Sequence, residues 1–205
     1  MPLAFSQEDM SRHRSELASI KALAQALTAE GRLAELEHRT NDAARAYLDA
    51  IQLGHEATRG GPLIDGLVRV ACEAIGLQRL QPCVTNLQAS ECRMVIGVLE
   101  AIEKKQESFE EVLKVEKKWI RQAYPFYQRL VGSIMQLFNR AALKRAEQKF
   151  QTQQKRRSDL LLSVATRAYE LERRQRPKAV SDLVPDFLKV IPKDSLIATN
   201  GLVKP

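Results

Sequence analysis

The chain has 205 residues, of which 44% are hydrophobic, 28% charged and 5% aromatic, with three cysteines and a formal net charge of +7. A chain of this length buries roughly 70% of the surface its unfolded form exposes, so it closes a core without disulfides or a structural metal. Its charges are too balanced for wholesale disorder, and no run approaches the roughly 18 apolar residues of a membrane span.

Helical period runs through most of the sequence. Leu17, Ile20, Ala24, Leu27, Leu33 and Leu36 put an apolar stripe on a first helix from about Glu8 to His38. Thr40, Asn41 and Asp42 are expected to stop the chain and cap the next helix, because short polar side chains accept from free backbone N–H groups. A second helix then faces Ala43, Ala44, Tyr47, Leu48, Ala50 and Ile51 inward. Small residues at Ala29, Gly31 and Ala34, followed by a tyrosine on the partner helix, suit two helices in close approach. The phrase from Asn41 to Gly54 looks like the second helix of a tetratricopeptide repeat, although no second copy stands at a 34-residue offset. An ordinary antiparallel bundle is the competing arrangement.

Gly60, Gly61 and Pro62 form the sharpest break: two residues free to take positive φ, then one suited to a helix start. The third helix is expected to bury Leu63, Ile64, Leu67, Val68, Ala71 and Ile75. After a connection marked by Pro82 and Asn86, Ser90 is the expected cap of a fourth helix carrying Met94, Val95, Val98, Leu99 and Ile102. Ser108 and Glu111 make a capping box that opens a fifth helix through Val112, Leu113, Val115, Trp119 and Ile120.

Beyond Pro125, the stretch from Phe126 to about Arg174 reads as one very long helix, or two with a break near Gln151 to Ser158. Gln148 to Arg157 is polar nearly all round, which predicts a solvated connection or an exposed helix. Four prolines, Pro177, Pro185, Pro192 and Pro205, then exclude a long helix. A short helix is expected at Ser181 to Val184, followed by extended chain. The organisation is therefore all-α: helical pairs over 1–124, a long basic helix or helix pair over 125–176, and a Pro-containing arm over 177–205 that packs on the helices.

Positive charge is concentrated. Between Arg140 and Lys178 stand twelve basic and four acidic residues, so this segment holds the whole excess and suits an acidic protein, a nucleic acid or an acidic membrane surface. The face expected to meet a partner includes Arg156, Arg157, Arg173 and Arg174, with Arg59 at the glycine turn as a second candidate. Phe150 and Tyr169 are the only aromatics there, so base stacking lacks its usual parts.

No catalytic signature appears: no nucleophile elbow, phosphate-binding glycine loop, dinucleotide fingerprint or paired-histidine zinc motif. Glu35 and His38 form one Glu-x-x-His pair near His55, but a di-iron bundle needs a second such pair, and the chain has three histidines. No metal, cofactor or catalytic residue is assigned. Cys72, Cys83 and Cys92 read as buried free thiols in a reducing compartment. With Glu16 and Lys21 interrupting the one candidate signal-peptide core, the expected location is cytoplasmic.

The run from Tyr47 through Arg59-Gly-Gly61 to Gly76 resembles a segment recurring in helical proteins of unassigned function in planctomycete-type bacteria. There a tetratricopeptide-like helix precedes an Arg-Gly-Gly turn and a Leu-Ile-Asp-x-Leu-Val helix. Glu116-Lys-Lys-Trp119 and the tail Leu183-Val-Pro-Asp-Phe-Leu-Lys-Val-Ile-Pro-Lys-Asp194 are similar to the same group, and the tail also resembles the C-terminal part of some pilin-like secreted proteins. The resemblance implies a fold rather than an activity. It also implies an N-terminal anchor, which makes envelope association the alternative location should an anchor precede this chain. The expected function is a non-catalytic protein-interaction or scaffold module. The alternative is a nucleic-acid-associated protein using the basic helix at 140–178.

Overall fold

The computed structural model describes residues 7–123 and 140–192, and within them the protein is all-α. Six helices follow in order: α1 (Gln7–Leu36), α2 (Thr40–Ala57), α3 (Leu63–Cys83), α4 (Ala89–Lys104), α5 (Phe109–Ala123) and α6 (Arg140–Arg173). Short 3-10 turns occupy Val84–Asn86 and Val180–Leu183. The segment from Pro125 to Asn139, where the long helix was expected to begin, lies outside the described residues.

Small residues set the spacing of α1, α2 and α3, which pack as consecutive antiparallel pairs. A Cβ on Gly31 would stand 2.5 Å from the Tyr47 ring, so the glycine of α1 is what leaves room for that ring between the helices. On the other side of α2, a Cβ on Gly76 would meet Ile51 Cγ1 at 2.4 Å and the Tyr47 carbonyl oxygen at 2.7 Å. Tyr47 and Ile51 are fully buried as a result.

The second half of the fold departs from a simple run of hairpins. α4 pairs with α6 rather than with α3. Arg93 of α4 reaches Glu172 at 2.7 Å, and near the other end of the pair the Ser158 hydroxyl meets Glu103 at 3.5 Å, so the two helices run antiparallel. α6 also lies alongside α3 in the parallel sense: a Cβ on Gly66 would press the Phe150 ring, and seven residues on, Glu73 meets Arg157. One apolar cluster joins α1 to α4, α6 and the arm, through Tyr47, Leu80, Val95, Leu99, Leu161, Val164, Leu183 and Leu188.

Several local expectations are borne out. Gly60 takes φ +73°, and Pro62 directly precedes the first residue of α3. The Ser108 backbone N–H donates to Glu111 at 2.7 Å while the Ser108 hydroxyl accepts from the Glu111 N–H at 3.2 Å, the reciprocal pair of a capping box. Leu183, Phe187 and Leu188 of the arm are buried, with the Arg93 guanidinium over the Phe187 ring at 4.0 Å.

Other expectations are corrected. Arg39, not a short polar residue, precedes α2, and no side chain caps that end. The guanidinium instead clamps Glu37 and Asp42, after His38 has turned the chain at φ +59°. At α4 the Glu91 carboxylate accepts from the Gln88 N–H, leaving Ser90 inside the helix. Leu33 and Leu36 are exposed because Gly31 and Ala34 hold the α1 crossing. On α4 the buried side is Cys92, Val95, Ile96, Leu99 and Ile102, with Met94 and Val98 at its margin. Of the two alternatives for the long stretch, α6 takes the unbroken one through Gln151 to Ser158, whereas the arm after Leu183 folds back as a turn, with the Phe187 N–H donating to the Leu183 carbonyl, instead of extending.

Candidate functional site

The largest correction concerns α3. Leu63, Leu67, Val68, Ala71 and Ile75 are only half-buried, and Ile64 is exposed. The buried side carries Asp65, Arg69 and Glu73, spaced four residues apart and therefore stacked along one line of the helix. Each ties α3 to a different neighbour. His13 of α1 meets Asp65 at 3.0 Å, Arg69 meets Glu107 before α5 at 2.6 Å, and Glu73 meets both His55 of α2 at 3.2 Å and Arg157 of α6 at 2.6 Å.

Burial pushes the Asp65 carboxyl above its ordinary value, with His13 acting against the shift. Burial also pushes up on Glu73, but Arg157 and His55 together outweigh it and hold that carboxyl below the usual range. Arg157 Nε and Nη2 and the neighbouring Gln153 Nε2 find no acceptor among the described residues, so desolvation of the Arg157 guanidinium is only partly offset. With Glu73 and His55 closed to solvent, this network's visible work is to hold four helices in register.

The five arginines expected to form a partner surface are not one surface. Arg157 is fully buried against Glu73. Arg59 pairs with Glu56 at 2.9 Å, a carboxylate shared with Lys105, and Arg173 pairs with Asp186 of the arm at 2.9 Å, so each has a carboxylate beside it at the surface. Arg174 is exposed, just past α6 and at φ +56°. Only Arg156 lies on a continuous cationic face. Arg145, Lys149 and Arg156 fall on one stripe of α6 at a helical advance of 100° per residue, spanning about 16 Å. All three are exposed and form no ion pair among the described residues.

The same stripe continues to Leu160 and into an open groove of about 630 Å3 between α6 and α3. Gln78, Gln81, Pro82 and Arg156 stand exposed around it with Ala74 half-buried, while Leu77 and Leu160 form its floor as core side chains only 4% and 2% exposed. Sequence inspection misses the groove because α3 and α6 are distant in the chain. A second exposed cationic stripe, Lys114, Lys117, Lys118 and Arg121, runs along α5; it sits toward the C-terminal half of the helix, where cations complement the helix dipole.

Glu35 and His38 do not converge with His55. Glu35 accepts a hydrogen bond from the Cys83 thiol at 2.7 Å, whereas His55 is committed to Glu73. Among the described residues no group of three or more His, Cys, Asp or Glu side chains could hold a metal ion, and no helix is long and apolar enough to cross a membrane.

The cysteines are free and buried, as expected. Burial pushes the Cys83 thiol up to about 12, with Glu35 adding to the shift, and burial pushes Cys92 up to about 11. Because the thiolate is the nucleophile, a disulfide reagent near pH 8 should titrate essentially none of the three thiols in the native protein and all of them in guanidinium. A fast-reacting native thiol would mean that its helix contacts open readily.

No protein-family model, no curated protein and no solved structure matches this chain.

Proposed function

We propose that this protein is a non-catalytic helical interaction module whose contact surface is the outward face of α6, and that its partner is an acidic protein. One observation carries the reading: Arg145, Lys149 and Arg156 make an exposed stripe with no ion pair among the described residues, and it leads into an open groove. Arg145, Lys149 and Arg156 attract carboxylates, and the Gln78 and Gln81 amides beside them can hydrogen-bond the side chains of a protein partner. The helix pairs at α1, α2 and α3 fit a tetratricopeptide-like scaffold holding that surface rigid.

A nucleic-acid role is the second reading, favoured by the exposed cations on α6 and by the α5 stripe. The absence of aromatic side chains on the α6 stripe weighs against base stacking, since Phe150 is buried.

Fluorescence anisotropy separates the two. A labelled polyglutamate peptide and a labelled DNA duplex, each about 20 units long, are titrated at about 50 and 200 mM salt. The peptide is expected to bind, and a Lys149→Glu/Arg156→Glu variant to weaken it by about tenfold, or 1.4 kcal/mol. Tighter binding of the duplex, with affinity collapsing between the two salt concentrations, would replace this reading by the nucleic-acid one.

A further inference from the structure

We infer that the buried seam between α3 and α6 binds a monovalent, halide-sized anion, held by Arg69, Gln153 and Arg157. The site is internal and independent of the surface at which a partner docks.

The register of the two helices brings these side chains together. Glu73 pairs with Arg157 across a sequence separation of 84, and Gly66 packs on Phe150 at the same separation. Arg69 lies between Gly66 and Glu73, so it stands abreast of Gln153, and its guanidinium carbon is 5.5 Å from the centre of the Phe150 ring. Arg157 follows Gln153 by one turn of α6. Arg69 and Gln153 are 3% exposed and Arg157 is 0% exposed.

Donors outnumber acceptors along this seam. Arg69 Nη1 donates to Glu107 Oε2 and Arg157 Nη1 to Glu73 Oε1, each at 2.6 Å. The second oxygen of each carboxylate is engaged too: Glu107 Oε1 accepts from the Gly60 N–H, and Glu73 Oε2 meets the His55 ring. Arg69 Nη2, Gln153 Nε2, Arg157 Nε and Arg157 Nη2 then remain buried with no acceptor among the described residues. Turning the Gln153 amide over would offer one oxygen, with two lone pairs, to three guanidinium nitrogens, which is still too few. An N–H left in this state loses its hydration without return, so the seam is built to receive an acceptor.

The chemistry of that acceptor follows from the donors. A water molecule brings two hydrogens that must find acceptors in a place already short of them, whereas an anion only accepts. Charge does not oppose it: Arg69 and Arg157 offset Glu107 and Glu73 one for one, and His55 stands beside Glu73 as the fifth member. Gln153 and Arg157 are about 6 Å apart along the helix axis, a spacing that suits a single-atom ion between two N–H donors.

The test is urea unfolding of the full chain at constant ionic strength, with sodium chloride replacing sodium gluconate from about 1 to about 100 mM. An ion held only by the folded chain, with a Kd of about 10 mM, raises the folding equilibrium constant about tenfold over that range. Gln153→Glu places a carboxylate beside the orphaned guanidinium donors and is expected to abolish the response while matching, in gluconate alone, the stability of the parent in chloride. Gln153→Met keeps the volume, removes one donor and should shrink the response to about threefold or less. Crystals grown in sodium bromide should show an anomalous peak between Gln153 and Arg157. An unfolding equilibrium indifferent to chloride would overturn the inference, as would water with no bromide in the seam. An equal chloride response in Gln153→Glu would overturn it as well, by revealing a general salt effect.

Discussion

Replacing Arg157 with alanine should cost about 3–5 kcal/mol of folding stability, while the same change at Arg156 should fall within about 0.5 kcal/mol. Adjacent in sequence and alike in chemistry, the two residues differ in where α6 turns them. Arg157 meets Glu73 at 2.6 Å with both side chains almost wholly buried, whereas Arg156 stands at the open groove. Truncating Arg157 leaves a carboxylate in the interior with only His55 beside it. Urea denaturation of the two variants measures the contrast directly, and equal midpoints would mean that the buried pair does not form.

Two further readouts identify the cause as charge rather than lost packing. A Glu73→Leu/Arg157→Leu double variant should recover most of the loss, because removing both partners also removes their desolvation. The pH dependence has a definite sign. Glu73 is held below its ordinary value in the fold, so its contribution is present above the unfolded carboxylate value and disappears as pH falls through the folded one. The stability gap between the parent and Arg157→Ala is therefore widest near neutrality and narrows in acid, where the carboxyl left behind is protonated.

Gly76→Ala should be the most damaging of the single-methyl additions. Its Cβ would lie 2.7 Å from the Tyr47 carbonyl oxygen, a backbone atom that can yield only if α2 moves. Overpacking of this kind costs about 1–3 kcal/mol, against the roughly 1 kcal/mol that alanine gains over glycine in a helix. Because the clash is with backbone, the close approach wins, with a net loss of up to about 2 kcal/mol. Gly97→Ala provides the opposite sign: nothing lies within 4 Å of its Cβ, so only the helix-propensity gain of up to about 1 kcal/mol remains. Thermal or urea unfolding of the pair reads both signs, and a stabilised Gly76→Ala would show that α2 and α3 are not in contact at this crossing.

The turn before α3, the cap of α5 and the crossing of α1 with α2 were legible because their determinants are close together in the chain. The Gly60-Gly61-Pro62 turn, the Ser108 and Glu111 cap, and the small residues opposite Tyr47 act within a few residues or across one adjacent pair, and all behave as their chemistry requires. α3 was misread for a related reason. Its aliphatic residues form a convincing stripe, but the opposite side found its partners in His13, Glu107, His55 and Arg157, and an ion-paired charged side can be buried as completely as an aliphatic one.

By itself the sequence determined that this protein is helical, where several of its helices start, and that its positive charge gathers in one stretch. Only the tertiary structure decided what that charge does. Lys155, Arg156 and Arg157 are consecutive and locally equivalent, yet the counter-ion that draws Arg157 inside lies 84 residues away on α3. Helix period and capping depend on short-range backbone geometry and are written in neighbouring residues. Ion pairing and the opening of a groove between α3 and α6 depend on which helices meet, and that is settled by packing across the whole chain.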